Sequence, residues 1–258
     1  MFPTELIVAL CIGILSLVWL LMKNSKKSSV LITNEGRAKE ALAARGAILF
    51  CGPTGSGKTA LLHQLAFGVA PVSLSSIHPI AIHKHLHRDE GSLDRPKYKL
   101  MDCPGASQFR KNCIRLAGEC SAIVLVIDAT GGLDQIRSSA ATLYDLFTDS
   151  SVLKGAPRLL IVGNKVDVPG AVPIAHLRTQ LEVELERLKK SRATVSTAED
   201  SADIASNEAN LLLGSVDEPF SFSKDSPVSH SWCTCVSSGK APQLDSVVSF
   251  IRGNSGDL

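Results

Sequence analysis

Gly52-Pro53-Thr54-Gly55-Ser56-Gly57-Lys58-Thr59 follows a short apolar run, Ala47 to Gly52, and precedes Ala60 to Phe67, which reads as a helix. The eight residues satisfy the spacing G-x-x-x-x-G-K-[ST]. Glycines there let the backbone curl until its N–H groups converge, and the helix amino terminus adds partial positive charge at the same place. Such a nest holds an oxyanion. On a phosphate chain, Lys58 neutralises the β and γ groups and the Thr59 hydroxyl ligates Mg2+. Every residue from Gly52 to Thr59 is therefore expected at the phosphates, and a strand before and a helix after the loop are the context the motif needs.

Outward from the loop, β-rich apolar runs alternate with helical patterns. Tyr98 to Met101, Ala122 to Ile127, Arg158 to Val162 and Ser231 to Val236 join Ala47 to Gly52 as expected strands. Alternation of this kind predicts a mainly parallel sheet with helices on both faces, an α/β fold. Ile174, Leu177, Leu181, Leu185 and Leu188 recur at spacings of three and four, as one helical stripe requires. Leu244, Val247, Val248 and Ile251 repeat the pattern. Between Ser191 and Ser229 there are nine serines, seven acidic residues and two basic ones, without a period. That composition predicts a flexible insertion over about 190–230.

A phosphate cradle does not choose a base. Asn164-Lys165-Val166-Asp167, after the strand Arg158 to Val162, supplies the choice. The Asp167 carboxylate accepts from both N1–H and the exocyclic amine of guanine, whereas adenine presents an acceptor at N1. A buried site built for donors rejects the analogue that lacks them. Asn164 would brace the loop and reach the base N7, and the Lys165 stem would cover one base face. Asp102-Cys103-Pro104-Gly105 ends another strand, where Asp102 would hold Mg2+ through water and the Gly105 N–H would meet a γ-phosphate. Near the end, Cys235-Val236-Ser237-Ser238-Gly239 would close the sheet and offer backbone N–H groups to the guanine O6, Val236 and Ser237 being the residues chosen. Ser73, Ser75 and Ser76 lie where a further hydroxyl for Mg2+ is needed, and Ser76 is the choice among them. GTP and Mg2+ are the expected cofactors.

On these residues the chain resembles the small Ras-like GTPases, in the branch that holds the ADP-ribosylation factors and the beta subunit of the signal recognition particle receptor. Three features lean toward the receptor branch: an apolar amino-terminal run, the Ser-rich insertion, and Asp-Cys-Pro-Gly. The resemblance implies a Ras-like P-loop GTPase domain that docks the signal recognition particle receptor alpha subunit at the endoplasmic reticulum membrane during cotranslational targeting. The alternative it leaves is an Arf/Sar-like cycling GTPase of membrane traffic. In hydrolysing members a glutamine after the motif glycine orients the attacking water; here that residue is Ala106. A methyl group orients nothing, so the expected behaviour is tight GTP binding with slow turnover, and no catalytic residue is assigned.

The apolar run is Leu6 to Met22, interrupted only by Gly13 and Ser16 and followed by Lys23, Lys26 and Lys27. A helix of that length spans about 26 Å, close to a hydrocarbon core of roughly 30 Å, with lysines that snorkel to the interface. Lysines on the far side alone predict a single-pass anchor embedded through residues 6–22, with everything after it cytosolic. The organisation expected is thus an anchor and basic flank over 1–27, a linker over 28–45 and the GTPase-like domain over 46–258. With 27 Lys and Arg against 25 Asp and Glu, the net charge of +2 gives no support to a nucleic-acid-coating protein. Seven scattered cysteines without ligand spacing read as reduced thiols, Cys233 and Cys235 as buried and inert. His83, His85 and His87 alternate; a solvated strand face is preferred over a metal site. For Arg110, Lys111 and Arg115, a solvated helix face is the default against a partner contact.

Overall fold

The run Ala47–Cys51 is apolar throughout and buried at every position, which an interior strand covered by helices on both sides permits. The computed structural model describes residues 46–70, 76, 78–89, 98–196, 213–214, 218–238 and 241–253. Within them β1 (Ala47–Cys51), β2 (Ile80–Lys84), β3 (Tyr98–Asp102), β4 (Ala122–Asp128), β5 (Arg158–Asn164) and β6 (His230–Cys235) make one sheet in the order β2-β3-β1-β4-β5-β6. All neighbours are parallel except β2, which runs antiparallel to β3 at the edge. The helices are α1 (Lys58–Phe67), α2 (Arg110–Ala117), α3 (Gly132–Thr148), α4 (Ser150–Gly155), α5 (Ile174–Ser196), α6 (Phe222–Asp225) and α7 (Asp245–Arg252).

Alternate side chains of the strands enter two cores. Leu49, Ile123, Leu125 and Ile161 pack with α2, α3 and α5, whereas Phe50, Val124, Val126 and Leu160 pack with α1 and α7. The predicted stripe on α5 buries Leu177, Leu181 and Leu185 in the first core. The parallel strands β1, β3, β4 and β5 end on one side of the sheet, the side where parallel α/β sheets bind ligands.

Several parts of the fold depart from the sequence reading, α3 and the insertion most of all. α3 was not anticipated, although Ile136, Ala140, Leu143 and Phe147 form its buried stripe at helical spacing. Described residues at both ends of the insertion expected over about 190–230 are structured. α5 continues to Ser196, and Phe220 and Phe222 are buried against Phe147 as an aromatic cluster that Trp232 joins. A buried ammonium ties this segment down: Lys189 donates to the Glu218 carbonyl at 2.7 Å and pairs with Glu186 at 2.8 Å. Serine content concealed these apolar anchors. The expected anchor over 6–22, its flank and the linker over 28–45 lie outside the described residues; among the described residues no helix is long and apolar enough to cross a membrane.

Candidate functional site

Between β1 and α1 the backbone turns through two glycines that no other residue replaces. Gly52 has φ 134°, and a Cβ there would sit 2.2 Å from the Val126 carbonyl oxygen. Gly57 has φ 91° and would drive a Cβ to 2.2 Å from Asn164 Nδ2. Both contacts demand a hydrogen at Cα. Side chains hold the carbonyls of the loop that these glycines permit. Lys58 Nζ donates to Pro53 O at 2.7 Å, Lys165 Nζ to Gly55 O at 2.8 Å and Asn164 Nδ2 to Ser56 O at 2.8 Å. Because a trans peptide opposes its C=O and N–H, the Gly55 and Ser56 carbonyls held by Lys165 and Asn164 turn the following N–H groups to the opposite side.

Lys58 itself is buried, and that burial pushes its ammonium below the ordinary lysine range, with the Asp102 carboxylate pulling the other way. Gly105 closes on the same place: a Cβ there would lie 2.6 Å from both Lys58 Nζ and the Thr54 amide nitrogen. The segment Asp102 to Gly105 therefore abuts the phosphate loop.

Thr59, Ser76 and Asp102, from three separate parts of the sequence, converge. Thr59 Oγ1 donates to Asp102 Oδ2 at 2.6 Å, Ser76 Oγ donates to the same oxygen at 3.1 Å, and the two hydroxyls stand 3.3 Å apart. The other carboxylate oxygen, Asp102 Oδ1, is buried with no partner. An unsatisfied carboxylate oxygen beside two hydroxyls is an all-oxygen, net negative donor set, which suits a small hard cation such as Mg2+.

At the other end of the site Asp167 is exposed, and its carboxylate holds no hydrogen bond or ion pair among the described residues. Asn164, fully buried, spends its whole amide on bracing. Nδ2 donates to Ser56 O and to Ser237 Oγ at 2.9 Å, while Oδ1 accepts from the Ser237 N–H at 3.1 Å and from Cys235 Sγ at 3.2 Å. No N–H is left for a base N7, so the bracing half of the expectation stands and the N7 contact does not. The same bonds correct the reading of Val236 and Ser237. The Val236 N–H is paired with Gln243 O and that of Ser237 with Asn164, so neither is free for a guanine O6.

Asp128 was missed at the sequence level. Lys165 pairs with it, and the Thr130 N–H and hydroxyl donate to it at 2.9 and 2.7 Å. Burial alone would raise this carboxyl; the Lys165 and Thr130 hydrogen bonds hold it below its ordinary value. The signal was available, since Asp128 ends β4 at the sheet edge where Asp102 ends β3 and Asn164 ends β5. Lys165 is thereby fixed at φ 64° between the loop and Asp128. Elsewhere, Arg110 pairs with Asp145 at 3.5 Å, and Lys111 and Arg115 are exposed. β2 ends at Lys84, so of the three histidines only His83 lies on a strand; among the described residues no three His, Cys, Asp or Glu side chains are placed to hold a metal. Cys233 and Cys235 are buried, and burial pushes the Cys233 thiol up to about 12.

A family model described as the signal recognition particle receptor beta subunit matches residues 43–224. The signal recognition particle receptor subunit beta of Mus musculus is 30% identical over 183 residues, 70% of this chain and 65% of the mouse protein, so the match spans somewhat less than two thirds of that relative's length. Among solved structures, the mammalian SRP receptor superposes with a TM-score of 0.64 at 25% identity, covering 81% of this chain and all of that one. The SRb-GTP/SRX complex from Chaetomium thermophilum gives 0.61 at 20% identity over 80% of this chain and 97% of its counterpart. The Ras-like α/β fold is common to them.

Proposed function

Since the chain belongs to the signal recognition particle receptor beta subunit family, we propose that it binds GTP with Mg2+ at this site and, so loaded, holds the receptor's alpha subunit at the endoplasmic reticulum membrane. One observation carries the reading: Thr59, Ser76 and Asp102 meet beside the phosphate loop with a buried carboxylate oxygen left over. The loop N–H groups and Lys58 take the phosphates, with the Gly105 N–H at the third one. Thr59 and Ser76 hold the ion directly and Asp102 through water. Mg2+ supplies charge neutralisation between the phosphates. Asp167 accepts from the guanine N1–H and amine, Lys165 covers a base face with its stem, and Asn164 keeps both ends of the site in register. With the Val236 and Ser237 N–H groups engaged, the Ser238 N–H is the one that faces the O6. Residues 6–22 anchor the protein as a single span with the domain in the cytosol.

The Arf/Sar-like alternative loses ground to the family match, and Ala106 favours a GTP-loaded binding module over a fast cycling enzyme. Calorimetry of the full chain with Mg2+ tests the ligand: heat from GTP and none from ATP is expected, and Asp167→Asn should move preference toward xanthine nucleotides. Absence of GTP heat on folded protein would refute the reading. For the partner, GTP-loaded chain should capture purified alpha subunit and GDP-loaded chain should not; equal capture in both states would refute nucleotide-dependent docking.

A further inference from the structure

We propose that Gln135, on the first turn of α3, is a positioning residue that sets the phosphate loop for a nucleotide's third phosphate; this rests on the GTP-binding reading above. Four consecutive loop carbonyls, those of Pro53, Thr54, Gly55 and Ser56, each accept from a different side chain. Three of the donors, Lys58, Lys165 and Asn164, belong to the motifs legible in the sequence. The fourth is Gln135, whose Nε2 donates to Thr54 O at 2.8 Å from a helix that no motif marks.

Holding the Thr54 carbonyl outward turns the Gly55 N–H inward, because the two belong to one planar peptide. That peptide is the next one after the peptide that joins Pro53 to Thr54. Gly105 closes on the neighbouring Pro53–Thr54 peptide, beside Lys58 Nζ. The Ser56 carbonyl, in contrast, is held from the base side by Asn164. Losing Gln135 therefore loosens the part of the nest nearest the last phosphate and leaves the rest braced.

Packing alone does not account for the side chain. Gln135 Oε1 is buried with no partner, a cost that an apolar residue of similar size would avoid. Its stem also crosses Gly131, where a Cβ would lie 2.1 Å from Gln135 Cγ. Gly131 has an ordinary φ of −79°, so alanine suits its backbone and disturbs chiefly the path of Gln135.

The test follows dissociation of fluorescent GDP and of the fluorescent β,γ-imido analogue of GTP from the full chain with Mg2+. The variants are Gln135→Leu, Gln135→Glu, which keeps the shape without the donor, and Gly131→Ala. Each should release the triphosphate analogue on the order of tenfold faster, the effect of one lost hydrogen bond, and GDP less than about threefold faster. The nucleotide-free melting temperature of Gln135→Leu should hold or rise. Rates equal to wild type, equal acceleration of both nucleotides, or a lowered melting temperature with unchanged rates would each overturn the assignment. Should Gln135→Leu not fold, Gly131→Ala and Gln135→Glu decide by the same rates. Wild type that binds neither nucleotide removes the GTP reading and this inference together; wild type that binds, with variants matching it, removes this inference alone.

Discussion

Asn164 and Ser237 grip each other twice: the Asn164 Nδ2 donates to Ser237 Oγ at 2.9 Å, and the Ser237 N–H returns a bond to Asn164 Oδ1 at 3.1 Å. With its further bond to Ser56 O, this one amide joins the ends of β5 and β6 to the phosphate loop. Asn164→Ala would leave Ser56 O and the Ser237 N–H buried without partners. The expected loss is about 3 kcal/mol. For a domain of this size that lowers the melting temperature on the order of 10 °C. Thermal unfolding of the nucleotide-free chain measures it, and an unchanged midpoint would show that the brace contributes nothing to stability.

Asp102 makes the opposite kind of prediction. Its Oδ2 accepts from Thr59 and Ser76 while its Oδ1 goes unmatched, so the carboxylate is placed at a cost in the absence of a cation. Asp102→Ala should therefore spare the stability of the nucleotide-free chain and remove the gain in GTP affinity that Mg2+ brings. Residues that hold a metal through water contribute roughly 10–100-fold to its binding. Titrations with Mg2+ and with chelator would give nearly the same Kd for the variant; a magnesium dependence as large as wild type would dissociate Asp102 from the metal.

How far the sequence carried this site depends on how local each signal is. Gly52 to Thr59 is contiguous, and one peptide segment builds its geometry, so it was legible as a motif. Thr59, Ser76 and Asp102 lie far apart in sequence, yet each ended or followed a readable element and could be brought together through a known chemistry. Asn164 was readable as a brace, whereas its fourfold bonding, which excludes an N7 contact and occupies the Ser237 N–H, depends on which groups β5 and β6 place side by side. Gln135 and Asp128 carried no motif; they matter because β4 and α3 deliver them beside the loop. The same limit applies to Phe220 and Phe222, whose serine-rich neighbours resemble a linker until Phe147 and Trp232 surround them.

Lys58 gives a pH dependence with a definite sign. Burial holds its pKa below 10.5 in the free protein. Phosphates favour the ammonium and raise that value on binding. Between the lowered and the raised pKa, binding takes up a proton, so affinity falls as pH climbs through that interval and is unaffected by this group on its acid side. Titrations in two buffers of different ionisation enthalpy should show greater proton uptake at about pH 9 than at about pH 7. Lys58→Arg, permanently charged, should abolish the difference. Uptake that is equal at both pH values in wild type would mean that another group, or none, is linked to binding.

Ala106 sets the rate. It follows Gly105, which touches the loop at Thr54 and Lys58, so its side chain starts from the place where a water-orienting group is needed. Ser107 and Gln108 come next, in a short 3-10 turn, exposed and without a hydrogen bond to the phosphate loop. With positioning and charge as the main sources of catalysis in phosphoryl transfer, the bound GTP should turn over slowly, on the order of 10⁻³ per second or less. Ala106→Gln supplies an amide at the right point of the chain and should accelerate single-turnover phosphate release at least about tenfold, without weakening GTP binding. A wild-type chain that hydrolyses GTP about once per second unaided would mean that the attacking water is oriented by a group other than the side chain at position 106.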